Sequence, residues 1–261
     1  MKNILILTFF IVLVSMIQSG WAKNPSPAVG KAQVDLVKTL LLTKFEKEFK
    51  DKKAIGLLQK EVLGHKGKAV PALIEVMKNS KFSDKNRWIA TFLLGRIMGV
   101  KASTFIAKFA EHPNWVLRLA SLKVLLALRQ KNYANIYNRA LKDESLIVRS
   151  QALANIRHFE IKEMAPQVWS MLYDKRNYYN PKDGQAKRTN IIKDIILTIG
   201  ELKFSKARDP LLKMVQKEKY SDIFEEIDYS LEKITGKDSP KGDKKVKQHY
   251  WSRFSMAQVT I

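Results

Sequence analysis

The chain has 261 residues, 46% of them hydrophobic and 28% charged, with 11 Gly and 8 Pro, a composition that excludes global disorder and collagen-like or Pro/Gly low-complexity structure. It has no cysteine, so disulfide frameworks, thiolate zinc sites, iron-sulfur clusters and cysteine nucleophiles are excluded together. Lys and Arg outnumber Asp and Glu by 47 to 25, and the resulting charge of +22 favours anionic surroundings.

Residues 1–22 read as an export signal: Lys2 ahead of an apolar run over residues 4–17, then Ser19, Gly20 and Ala22 as small residues before a cut. Cleavage is expected after Ala22, and retention of the segment as an anchor is the alternative. No cysteine follows that would make the product a lipoprotein. The expected location is the periplasm or the exterior. In the most apolar later window, residues 115–128, Arg118 and Lys123 argue against a second membrane span. Residues 23–30, with Pro25 and Pro27, read as an extended linker. Helical periodicity begins with Val34, Val37, Leu40, Leu41, Phe45 and Phe49 and resumes over 54–63, so residues 31–67 form an expected N-terminal helix pair.

From residue 68 the sequence repeats. Arg87, Arg118 and Arg149 are 31 residues apart, and each is followed at three positions by Ala90, Ser121 or Ala152. At seven positions come Leu94, Leu125 and Ile156, and at ten Ile97, Leu128 and Phe159. Offsets of three, seven and ten share one helix face, and the small residue permits close helix contact. Partner helices are expected over 70–77, 104–110 and 133–141. Further pairs follow over 166–173 with 191–202 and 210–216 with 227–234, and Pro71, Pro166 and Pro210 mark first-helix starts. Five pairs therefore span 68–236. An insertion near 174–188 lengthens the spacing before the fourth pair, and a basic tail, 237–261, closes the chain.

The segments DKNRWIATFLLGRI from Asp84, HPNWVLRLASLKVLLAL from His112 and DESLIVRSQALANI from Asp143 resemble HEAT-repeat proteins, in the short-repeat bacterial form often called PBS-lyase-like. LEKITGKD from Leu231, with Trp251 beyond it, is similar to the closing segment of some exported members. The resemblance implies an all-α fold: a right-handed α-solenoid of stacked antiparallel helix pairs, with second helices lining a concave face. It also implies a structural ladder, for which Asp84, Arg87, Arg118, Asp143 and Arg149 stand at the matching positions; a row of anion-binding arginines is the alternative. Two HEAT-like enzyme families, the bilin lyases and the alkylpurine DNA glycosylases, share the architecture, but an export signal is at odds with both.

The sequence offers no metal-holding histidine pair, nucleophile elbow or phosphate loop, so the expectation is a non-enzyme without metal or small-molecule cofactor. Asp222, Glu225, Glu226, Asp228 and Glu232 read as a solvated acidic face. On the expected concave surface, offsets two, five and nine give Ile89, Phe92 and Arg96, then Ala120, Lys123 and Ala127, then Gln151, Ala154 and His158, with Tyr229 and Glu232 in the last pair. Trp88, Phe92, Arg96 and Lys123 are the candidate recognition patch, unless Trp88 packs between repeats. Arg176, Tyr178 and Tyr179 in the insertion are a second candidate contact, unless the tyrosines plug a gap in the stack.

The charge is uneven: residues 23–132 carry 22 basic against 8 acidic groups, and residues 133–236 carry 18 against 15. That pattern suits a protein or peptide partner on a scaffold. The alternative is an anionic envelope polymer or nucleic acid bound by the basic N-terminal repeats and tail, and a third reading leaves the lysines to solubility alone.

Overall fold

The apolar steps of three and four residues become helices almost throughout the computed structural model, which describes residues 31–47, 49, 51–179, 187–188 and 190–256. The expected signal and linker, 1–22 and 23–30, lie outside the described residues. The fold is all-α. The chain divides into two compact units, one ending at Gln130 and the other beginning at Lys131.

The first unit contains α1 (Lys31–Phe45), α2 (Lys52–Gly64), α3 (Val70–Lys78), α4 (Asp84–Met98), α5 (Ser103–Ala107) and α6 (Trp115–Ala127). The second contains α7 (Ala134–Ala140), α8 (Leu146–His158), α9 (Ala165–Ser170), α10 (Asn190–Glu201), α11 (Arg208–Val215), α12 (Phe224–Thr235) and α13 (Lys244–Met256). The five later pairs pack internally, while α1 of the expected N-terminal pair packs mainly on α3; second helices stack on second helices, α2 on α4 and α4 on α6 in one unit, α8 on α10 and α10 on α12 in the other. Among the described residues, strand pairing is confined to Tyr178–Tyr179 (β1) against Lys187–Arg188 (β2), inside the insertion.

Small residues set how closely these helices approach. Ala90, Ser121 and Ala152, the offset-three positions, have no exposed surface. The Ser121 hydroxyl donates to the Ile106 carbonyl at 2.8 Å and the Ser230 hydroxyl to that of Ile196 at 2.8 Å, so neither buried oxygen lacks a partner. At Gly95 a Cβ would lie 2.7 Å from Val124 Cγ1, and at Gly200 2.7 Å from Ser230 Cα, so both glycines are demanded by helix contact. The helical run Asp84–Glu111 is long and apolar enough to cross a membrane by length and composition alone. Gly99, at φ 55°, interrupts it, and half of its apolar window is buried in the first unit.

The end of each second helix in the series is built alike. Lys66, Gly99, Arg129, Glu160, Lys203 and Gly236 all have φ between 49° and 69°, and a 3₁₀ turn follows each of the first five before the next first helix. After Arg129, Glu160 and Lys203 the next amide reaches back five residues: Gln130 to Leu125, Ile161 to Ile156, and Phe204 to Ile199, at 2.9–3.2 Å. These are Schellman closures, and they satisfy carbonyls that a helix end leaves open. Four of the six left-handed positions carry a long charged side chain instead of glycine, all four exposed.

The expected basic tail is largely a helix. α13 packs on α11, and Trp251 is wholly buried, its indole Nε1–H donating to Asp228 Oδ1 at 2.6 Å. Lys247 Nζ donates to Asp228 Oδ2 at 2.6 Å, and Ser239 Oγ lies 3.0 Å from the same oxygen. Asp228 is therefore 3% exposed, a correction to its reading as part of a solvated face. The physical reason is long-range: a carboxylate accepting from an ammonium and an indole tolerates burial.

Two outcomes are expected. Replacing Lys66, Arg129 and Lys203 together by glycine relieves left-handed strain of about 1–2 kcal/mol per site against roughly 0.5–1 kcal/mol of added unfolded-chain entropy. The triple variant should gain about 1.5 kcal/mol, read as a higher urea midpoint at unchanged slope. Trp251→Ala should cost about 3–5 kcal/mol in the same assay, because it empties a fully buried site and strips Asp228 of a donor.

Candidate functional site

The repeated arginines hold the turns that present the second helices. Arg118 Nη1 donates to the carbonyls of His112 and Pro113 at 2.9 and 2.8 Å; Arg149 Nη1 donates to those of Asp143 and Glu144 at 2.7 and 2.9 Å. The offsets, six and five residues back, are identical. Arg149 is 1% exposed and also reaches the insertion, with Nε donating to Asn177 Oδ1 at 2.9 Å and Nη2 to the Arg176 carbonyl at 3.0 Å. Arg87, 4% exposed, donates from Nε to the Met77 carbonyl at 3.1 Å and lies 3.5 Å from Asp84 Oδ1. Asp84 Oδ1 in turn accepts from Asn114 Nδ2 at 2.7 Å, across 30 residues of sequence. Asp143 caps its own turn, its Oδ1 accepting from the Ser145 amide at 2.8 Å. Backbone carbonyls therefore supply many of the acceptors that these guanidinium groups need.

His112 joins this arrangement. Its Nδ1 accepts from the Asn114 amide at 3.0 Å, its Nε2 lies 3.1 Å from Arg87 Nη2, and its ring stacks on Phe109 at 5.9 Å. Donors face both ring nitrogens. Burial, followed by the charge of Arg87, holds its pKa below the usual 6.5.

The first candidate patch is partly assembled. Trp88 and Phe92 lie one turn apart on α4 with ring centroids 5.0 Å apart, both half-buried against the core of the first unit, and Arg96 is exposed a further turn along. Lys123 occupies the matching position on α6, half-buried, and desolvation lowers its pKa from the ordinary lysine value. The offset-two residues depart from the expected concave surface: Ile89 is 6% exposed and Ala120 fully covered. Offset two lies only 100° of helical turn from the buried offset-three residue, so it remains in the packed stripe.

Arg176, Tyr178 and Tyr179 belong to the other unit. Arg176 is clamped by Asp174, with Nε at 3.0 and 3.1 Å and Nη2 at 2.7 Å from its carboxylate oxygens, and this contact depresses the Asp174 pKa. The Tyr178 hydroxyl donates to the Leu172 carbonyl at 2.7 Å, and the ring is half-buried. The side chain of Tyr179 lies outside the described ones. Asn177, which the sequence reading did not single out, is fully buried and links the Met171 carbonyl to Arg149.

A further surface lies on the second helices of the second unit. Arg157, Glu160, Leu197, Glu201 and Tyr229 line an open hollow of about 380 Å³. Its floor and wall combine one leucine, one tyrosine and groups of both charges. Among these, only Tyr229 came from sequence offsets; carrying the series past the insertion, with Ile192 in the arginine position, places Leu197 and Glu201 at offsets five and nine. Among the described residues, no cluster of three or more His, Asp or Glu side chains is arranged to hold a metal ion. No protein-family model matches the chain, and no curated protein does.

The histidine supplies a pH prediction. A folded pKa below 6.5 means that the unfolded chain binds the proton more readily, so His112 contributes stability above pH 6.5 that is lost as pH falls through the folded value. Urea midpoints of the parent should therefore decline from neutral pH into this range, and His112→Gln should lessen that decline.

Proposed function

We propose that this chain is an exported, non-enzymatic scaffold of the HEAT-repeat type that binds a protein or peptide along the exposed face of its second helices. The observation that carries the reading is a contrast within the second helices themselves, between arginines bound to the turns and side chains that stay part-open. Arg87 and Arg149 are consumed by carbonyls and neighbouring turns, whereas Phe92 and Lys123 on α4 and α6 of the first unit, and Leu197 and Tyr229 on α10 and α12 of the second, keep part of their surface open. Aromatic, aliphatic and cationic groups on these helices suit a polypeptide, which offers apolar side chains and charges of both signs.

The net charge of +22 favours the alternative, an anionic envelope polymer or nucleic acid. Against it, Lys244 pairs with Glu218 at 2.7 Å and Lys247 with Asp228 at 2.6 Å, so two of the six basic groups over 237–253 already have internal carboxylate partners. Capture from a native envelope fraction at low and high salt separates the readings. A polypeptide held partly by apolar contact should survive high salt, whereas a polymer should dissociate steeply. Arg96→Glu with Lys123→Glu is expected to weaken binding of the identified polypeptide at least tenfold with helicity unchanged; unchanged binding would remove the first-unit patch from the interface.

A further inference from the structure

The hollow of the second unit has a chemistry opposite to that of the chain as a whole. Three successive second helices contribute to it: Arg157 on α8 with Glu160 just past its end, Leu197 and Glu201 on α10, and Tyr229 on α12. Its volume of about 380 Å³ leaves room for one side chain in an open depression.

The charges around it are already partly matched. Arg157 faces Asp194 at 3.9 Å, and Lys193 pairs with Glu226 at 3.0 Å. Glu232 is engaged by the Ser239 amide and hydroxyl at 2.8 and 2.9 Å. Lys233 Nζ lies 5.1 Å from the Tyr229 ring centroid, over the ring and not on a carboxylate. Glu160 and Glu201 are different: among the described residues neither has a cationic group within salt-bridge distance, and Glu201 accepts only the Tyr229 hydroxyl. That hydrogen bond fixes one carboxylate oxygen and the ring together, which leaves the other oxygen able to accept. With Arg157 the only cation in its lining, the hollow carries one more carboxylate than it has cations, a local inversion of sign in a protein of charge +22.

We propose that this hollow seats an arginine side chain of the polypeptide partner, its methylene stem against Leu197 and Tyr229 and its guanidinium between Glu160 and Glu201. Arginine fits better than lysine, because a planar fork of donors reaches two carboxylates at once while its stem covers apolar surface. The charge of the whole chain repels such a partner at long range, so binding requires the local site and is selective for a segment in which arginine stands beside apolar residues. The inference rests on the polypeptide-binding reading above and narrows it.

The test uses the full chain and acetylated, amidated peptides of alternating Arg and Leu, with Gln-Leu and Glu-Leu counterparts, titrated calorimetrically at about 0.15 M salt. The Arg-Leu peptide is expected to bind at least tenfold more tightly than either counterpart. Glu160→Gln and Glu201→Gln should each weaken it about fivefold or more, with unchanged helical circular dichroism, and Arg157→Gln should leave it equal or tighter. Tighter binding of the Glu-Leu peptide, or Arg-Leu binding indifferent to both glutamate substitutions, overturns the proposal. Should an envelope polypeptide be captured in a manner sensitive to Arg96 and Lys123 but indifferent to Glu160 and Glu201, the arginine site falls and the broader reading stands. Should Arg-Leu binding follow the glutamates while envelope capture yields only polymer, the broader reading falls by itself.

Discussion

A guanidinium group taken out of water must find acceptors for five N–H donors, and in this protein that requirement shapes the turn between the helices of a pair. Arg118 and Arg149 meet it with the carbonyls six and five residues upstream, carbonyls that an irregular turn leaves without helical partners. The arginine therefore binds the turn as much as the turn binds the arginine. Removing the side chain would leave these part-open carbonyls to water and the turn without its bridge to the helix. The direction of the following helix, and with it the side chains displayed on its outer face, is fixed by this local exchange.

The same economy runs through the rest of the stack. Where second helices touch, Gly95, Ser121, Gly200 and Ser230 remove side-chain volume, and the serines return a hydrogen bond to the neighbouring first or second helix. Where second helices end, a left-handed residue reverses the chain and a 3₁₀ turn starts the next pair. Close contact, turn and reversal recur in order, so outward-facing residues recur too. Phe92 and Lys123 in one unit, and Leu197 and Tyr229 in the other, differ in chemistry while occupying equivalent places, which is how a repeated backbone carries a varied surface.

Much of this was legible in the sequence because it is local and periodic. The steps from Arg87, Arg118 and Arg149 marked the helices and their small-residue contacts, and Pro71 and Pro166 marked first-helix starts, each falling in the opening turn of its helix. What escaped depends on chemistry without a local signature. Arg129, Glu160 and Lys203 adopt a conformation usually given to glycine, and nothing in their side chains announces it. Asp228 looked like one more acid on a polar face because its partners, Lys247 and Trp251, arrive from 19 and 23 residues away. Asn177 was hidden in an insertion whose tyrosines drew attention, although the amide beside them is the group that fits both a carbonyl and a guanidinium. Glu201 was missed for a simpler reason: the insertion displaced the count that would have found it.

Asn177 also gives the second unit a point at which chain length is uncoupled from repeat register. Upstream, its amide is held by the Met171 carbonyl and Arg149; just beyond, Tyr178 pairs with Arg188 and Tyr179 with Lys187, bringing the two strands of the insertion together. This paired neck draws the two arms of the insertion together between α9 and α10. For protein engineering, that makes Asn177 and the paired Tyr178–Tyr179 and Lys187–Arg188 the part of the insertion to keep while other positions are varied.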